Sequence, residues 1–139
     1  MQHRFVIVGY GTMGFTHINN LRALGIEVAG IVDTDPVAER EAAEAGLHVY
    51  PDLATALADD SFDVVFICTP NEVHRPIALE SLAAGKHVIT EKPAMLNAAE
   101  IAEVMAAADA AGKQFIVHQN RRWDEDYLVM KQLYDEQTM

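Results

Sequence analysis

Apolar positions along the chain gather into six short runs, with longer stretches of helical spacing between most of them. The first run, Phe5–Val8, is four apolar residues in succession leading straight into glycine. A short unbroken run of that kind fits a strand buried on both faces. Further β-like runs lie at residues 26–32, 47–50, 62–68, 86–89 and 114–117. After the first run, Met13, Ile18, Leu21 and Leu24 recur at helical spacing. Leu24-Gly25, Ala45-Gly46, Ala84-Gly85 and Ala111-Gly112 each stand just before a β-like run and read as left-handed helix C-caps. Alternating β and α at this spacing predicts right-handed crossovers and a parallel sheet. The third run is short and meets Pro51 at once, so it is the least developed strand. The reading is one α/β domain over residues 1–121. A helix follows over 122–139, with Trp123, Tyr127, Met130 and Tyr134 on one face, Leu133 beside them, and Asp124, Glu125 and Asp126 at its start.

The join between the first strand and helix carries chemistry as well as structure. It reads Gly9-Tyr10-Gly11-Thr12-Met13-Gly14, a GxGxxG in the strand–turn–helix context that gives the pattern meaning. Gly9 permits a tight turn, Gly11 lets a pyrophosphate approach the backbone, and Gly14 lets the helix lie close to the strand. The opening N–H groups of that helix, including those of Tyr10, Thr12 and Met13, are expected to face the phosphates. The expected architecture is therefore a doubly wound Rossmann sheet between two helix layers, strand order 3-2-1-4-5-6. The chain has 21 acidic residues but none before Glu27, where an even spread would put about four. A carboxylate there would repel a diphosphate. Asp33 closes the second run, 19 positions after Gly14, where this fold hydrogen-bonds the adenosine ribose. Asp33, Thr34 and Asp35 would meet a 2′-phosphate with two carboxylates and no arginine fork, so NAD is favoured over NADP.

Composition narrows the alternatives. Half the residues are apolar and 22% are charged, a globular balance. A formal charge of −11 argues against nucleic acid or an anionic membrane as partner. Cys68 is the single cysteine, which rules out an intrachain disulfide and suits a reducing, cytoplasmic setting. No signal peptide is visible and residues 64–68 are too short an apolar run to span a bilayer. The six histidines show no metal-ligand spacing, so no metal site is expected.

Three further stretches lie at strand ends. Thr69-Pro70-Asn71-Glu72-Val73-His74 follows the fourth strand, with Asn71 placed to cap the next helix and Glu72 in its first turn. His74, read alone, is a surface helix residue. Glu91-Lys92-Pro93 follows the fifth strand. Lys92 could exchange a proton there, while Glu91–Lys92 as an ordinary ion pair is the plainer reading. Asn120-Arg121-Arg122-Trp123 follows the sixth strand, and two arginines make a poor nucleic-acid footprint.

Taken in order, GYGTMGFTH, the strand-end Asp33, TPNEVH, AGKHVITEKP and NRRW resemble the N-terminal domain of the glucose–fructose oxidoreductase and inositol dehydrogenase family. The resemblance covers essentially the whole chain. It implies a nicotinamide-dependent oxidoreductase acting on a secondary alcohol of a sugar, cyclitol or polyol. Lys92 would be the catalytic lysine, with Glu91 and Pro93 fixing it. Thr69, Pro70, Asn71 and His74 would lie near the nicotinamide half of NAD, and Asn120 would line the same crevice. Family members continue into a second α/β domain that supplies much of the substrate pocket. The resemblance thus implies a cofactor domain that binds NAD with little turnover by itself. Its face over 123–134 would be covered by that domain or by self-association into a homo-oligomer. A non-catalytic NAD-sensing module, and a fragment that no longer binds cofactor, remain as alternatives.

Overall fold

A computed structural model describes residues 3–138. Five parallel strands form one sheet in the order β2-β1-β3-β4-β5: β1 Phe5–Val8, β2 Val28–Val32, β3 Val64–Ile67, β4 His87–Thr90 and β5 Phe115–Val117. The helices are α1 Thr12–Ala23, α2 Pro36–Glu44, α3 Leu53–Leu57, α4 His74–Ala83, α5 Ala98–Ala111 and α6 Glu125–Asp135, with short 3₁₀ turns at Asn71–Val73 and Asn120–Trp123.

Strand periodicity divides the core into two layers. Val6 and Val8 point into one cluster with Val65, Ile67 and Val88, roofed by Ala78 and Leu82 of α4 and Val104 and Ala108 of α5. Ile7, Ile31 and Phe66 point the other way, against Ile18 of α1 and Ala42 of α2. β1 is central, with Ile7 paired to Ile31 on one side and to Phe66 on the other, and it is buried on both faces as its continuous apolar run requires. Gly25, Gly46, Gly85 and Gly112 all have positive φ, so the four glycine stops end helices as expected.

The doubly wound order stands, with one correction at its edge. Residues 47–50 do not form a strand; they make a single parallel bridge, Ile31 to Val49. Ile31 N–H donates to His48 O at 2.8 Å and Tyr50 N–H donates to Ile31 O at 2.9 Å. The next residue, Pro51, has no N–H with which to continue the ladder. The expected third strand is thus present as one rung beside β2. Among the described residues no helix is long and apolar enough to cross a membrane.

Candidate functional site

Strand order reverses between β1 and β3, so their carboxyl ends open a crevice at the place where this fold receives ligands. The turn after β1 is held tightly. Gly9 has φ +96°, and a Cβ on it would lie 2.8 Å from the carbonyl oxygen of Cys68 at the end of β3. A Cβ on Gly14 would lie 1.9 Å from the carbonyl oxygen of Gly9, so only glycine lets α1 pack against the turn. A Cβ on Gly11 would meet nothing within 4 Å. Gly11 is the N-cap of α1, no side chain caps the helix, and its first turn holds no acid. The protein therefore leaves a positive helix end and open space at the same point.

Asp33 stands across this turn. Its Oδ2 accepts from the N–H of Tyr10 at 2.6 Å, and its Oδ1 accepts from Thr34 N–H at 2.7 Å and Asp35 N–H at 2.9 Å. These amides fix a carboxylate at the end of β2. Tyr10 contributes only its backbone here, because its ring is buried against the α1–α2 core and edge-on to Phe15. The helix after Asp33 starts as read: Asp35 accepts from Val37 N–H at 2.9 Å and Pro36 opens α2.

A cleft of about 750 Å³ joins these groups and brings together Gly9, Gly11, Asp33, Thr34, Thr69 and Pro70. Asp35, Asp52 and Glu80 also face into it, so its wall is acidic away from the helix end. Thr12 borders a shallower hollow between α1 and α2 with Tyr10 and Gly11. Met13 is exposed on the first turn of α1. Thr69 Oγ1 is buried with no hydrogen-bond partner.

The rim beyond β3 and β4 differs from the sequence reading at three residues. Asn71 does not cap α4, because Val73 N–H closes a 3₁₀ turn on Pro70 O at 3.2 Å and the helix starts only at His74. The Asn71 side-chain amide makes no hydrogen bond with any described residue. His74 is not a surface residue: it is fully buried. Its Nε2 lies 2.9 Å from the carbonyl oxygen of Thr69, and its Nδ1 lies 3.2 Å from those of Pro93 and Ala94 and from Thr90 Oγ1. It ties the loop after β3 to the loop after β4 and presents no atom to the crevice.

The third difference is Glu91. Its carboxylate does not pair with Lys92. It turns under the sheet edge, where Oε1 lies 2.6 Å from His17 Nε2 and 3.0 Å from His118 Nδ1, and Oε2 accepts from Lys92 N–H at 3.2 Å. Burial pushes the Glu91 pKa up, but the bonds from His17, the Lys92 amide and His118 outweigh it and hold the carboxyl below the usual range. The Lys92 side chain is exposed, with no hydrogen bond or ion pair to any described residue. Asn120, also exposed, opens the 3₁₀ turn beyond β5. Cys68 offers no nucleophile, since burial, aided by Glu91, pushes its thiol up to about 12.

The sequence reading missed His17 and His118. They lie on α1 and just past β5, and only the fold brings them to one carboxylate as a His–Glu–His group. The spacing of its donor atoms is that of hydrogen bonds. Two ligands of one tetrahedral zinc would stand roughly 3.3 Å apart, against 2.6 Å between His17 Nε2 and Glu91 Oε1.

Residues 3–119 match an oxidoreductase family with an NAD-binding Rossmann fold. Inositol 2-dehydrogenase 1 of Saccharopolyspora erythraea is 33% identical over 97% of this chain and 42% of its own length. An NAD-binding protein of Listeria innocua superposes with a TM-score of 0.93 and 40% identity, over 99% of this chain and 41% of that one. The WlbA dehydrogenase of Chromobactrium violaceum, solved with NADH and UDP-GlcNAcA, gives a TM-score of 0.92 at 30% identity, over 97% and 40%. The chain thus spans about two fifths of the length of these relatives.

Proposed function

The chain belongs to the oxidoreductase family of the NAD-binding Rossmann fold, and from that premise we propose that it is the cofactor half of a dehydrogenase acting on a secondary alcohol of a sugar, cyclitol or polyol. The observation that carries the reading is the uncapped end of α1 at Gly11, open to a cleft with the Asp33 carboxylate on its far side.

The residues present fit a dinucleotide. The first-turn amides of α1 would take the pyrophosphate and the Asp33 carboxylate the adenosine ribose. Thr69 Oγ1, buried beside the cleft without a partner, is a polar atom for which a ligand group would supply one. A 2′-phosphate would meet Asp33 and Asp35 with no arginine in the cleft wall, which favours NAD over NADP. When bound, the nicotinamide supplies the two-electron acceptor or donor.

Lys92 is the group we assign to exchange a proton with the reacting hydroxyl. It lies on the rim after β4, the neighbour of β3, and is exposed without a hydrogen bond or ion pair to any described residue. It does not line the cleft, so the assignment is supported by the Glu91-Lys92-Pro93 resemblance. Asn71 and Asn120 offer free amides at the ends of β3 and β5, on either side of that rim. Holding substrate against the nicotinamide needs walls on both sides. Since the chain spans about two fifths of its relatives, binding without efficient turnover is its expected behaviour. The helix expected over 122–139 is shorter, α6 Glu125–Asp135, and Trp123 belongs to the 3₁₀ turn before it. With Trp123 79% and Tyr134 73% exposed, these two elements form the surface that a further domain or a second copy would cover.

Calorimetric titration of this chain with NAD and NADP tests the binding reading, and absence of heat with both would end it. Lys92→Ala, made in a form of the protein with its relatives' length, is expected to lose turnover while keeping NAD affinity. Near-normal turnover would remove Lys92 from the reaction.

A further inference from the structure

His17 and His118 have no part in the cofactor contacts above, yet both are directed at the Glu91 carboxylate. His17 sits in the second turn of α1, one turn behind the amides offered to the pyrophosphate, and is 6% exposed. Its ring lies on Phe66 with centroids 4.3 Å apart, and the His118 ring stands edge-on to it at 4.7 Å. His118 follows β5, and its N–H donates to Thr90 O at 2.9 Å, which anchors it to the end of β4. Glu91 is likewise 6% exposed, and the next residue is Lys92.

Proton counting fixes the chemistry of this group. An ionised carboxylate only accepts, whereas a neutral imidazole has one N–H and one lone pair. Both nitrogens that face Oε1 must therefore carry hydrogen: His17 donates through Nε2–H and His118 through Nδ1–H. A buried carboxylate short of donors is costly, so the two histidines and the Lys92 amide together keep Glu91 in place. The elements joined are α1, which presents the pyrophosphate amides, and the ends of β4 and β5, which border the other half of the crevice.

We propose that His17 and His118 are positioning residues: as paired N–H donors on one buried carboxylate, they lock the Lys92 loop to the glycine helix and so shape the nicotinamide end of the site. The proposal rests on the dinucleotide reading above for its functional part, while the tautomers can be measured without any ligand. It separates the two halves of the cofactor. The adenosine diphosphate half depends on the Gly11 turn and Asp33, which make no bond to this group. The nicotinamide half borders the loop that Glu91 holds.

Two measurements on this chain test it. Long-range ¹⁵N–¹H correlation spectra, with signals assigned from single variants, should show Nε2–H for His17 and Nδ1–H for His118, unchanged on adding Zn²⁺. The opposite tautomer at either residue, or Zn²⁺ coordination at these nitrogens, overturns the proposal. For binding, His17→Leu and His118→Leu should each weaken NADH about tenfold, because the loop that borders the nicotinamide is no longer held, with ADP-ribose changed less than about twofold. His17→Gln and His118→Asn, whose amide N–H replaces the missing donor, should restore NADH affinity to within about threefold. Equal loss for both ligands, no loss, or failure of both rescues overturns the positioning role. Should His17→Leu fail to fold, the less buried His118 carries the comparison by itself. Wild-type protein that binds neither ADP-ribose nor NADH refutes the dinucleotide reading instead, and leaves the tautomer result to stand or fall separately.

Discussion

At Gly14 a Cβ would stand 1.9 Å from a backbone oxygen, whereas at Gly11 it would enter empty space. The two glycines of one motif thus serve different ends, and alanine separates them. Gly14→Ala must push α1 off the turn, so the ligand-free protein should lose thermal stability outright. Gly11→Ala keeps ordinary backbone angles (φ −71°, ψ −167°) and should melt within about 2 °C of wild type. It should nevertheless bind NAD at least about tenfold more weakly, because its methyl occupies the approach of the pyrophosphate. Thermal melts and calorimetry together check both; a Gly11→Ala protein with full affinity would place the phosphates elsewhere. Asp33 is separable in the same way. Removing its carboxylate also frees Tyr10, Thr34 and Asp35 amides, a loss common to every ligand. Only the ribose bond distinguishes the two cofactors, so Asp33→Ala should weaken NAD more than NADP in parallel titrations, and an equal effect would refute the assignment.

Elements whose identity is written in neighbouring residues were legible in the sequence. The apolar run of β1, the glycine that follows each of α1, α2, α4 and α5, and the Asp35-Pro36 start of α2 are local signals with local causes. The strand at 47–50 was over-read because its apolar pattern holds while Pro51 withholds the next donor. Asn71 was over-read as a cap because the 3₁₀ turn ahead of α4 consumes it. Partners distant in sequence were not legible. Adjacency suggested Glu91 with Lys92, but the carboxylate reaches His17, 74 positions away, and burial of His74 depends on loops 19 and 20 positions on. The start of α5 offers a local signal that can be measured. Asn97 Oδ1 accepts from Glu100 N–H at 3.0 Å, and Asn97 Nδ2 donates to Glu100 Oε1 at 3.0 Å. Asn97→Ala should cost about 1 kcal/mol, a fall in Tm of about 3–5 °C, read by thermal denaturation. An unchanged Tm would mean that packing on α4 sets this end of the helix.

Across the whole molecule, charge and the α6 surface act against each other. A net charge of −11 makes two copies repel, while Met130 and Tyr134 on one side of α6, and Trp123 in the 3₁₀ turn just before it, stand in water, each more than half exposed. α6 buries no residue of its own, so the face is available without unfolding anything. Repulsion between exposed charges is screened over a Debye length of about 10 Å at 0.1 M salt and about 3 Å at 1 M, whereas apolar contact is not weakened by salt. Self-association through this face should therefore be weak at low ionic strength and grow as salt is added. Trp123 is the single tryptophan, which makes it a local reporter. Its emission should start at the red-shifted position of a solvated indole and move to the blue with concentration at high salt, in step with sedimentation velocity. Met130→Lys together with Tyr134→Lys should hold the protein monomeric throughout and keep the emission red. Association that survives this double substitution would move the contact off α6, and association without any change in Trp123 emission would move it off the 3₁₀ turn that precedes α6. A wild-type chain that stays monomeric at every salt concentration would refute self-association through this surface.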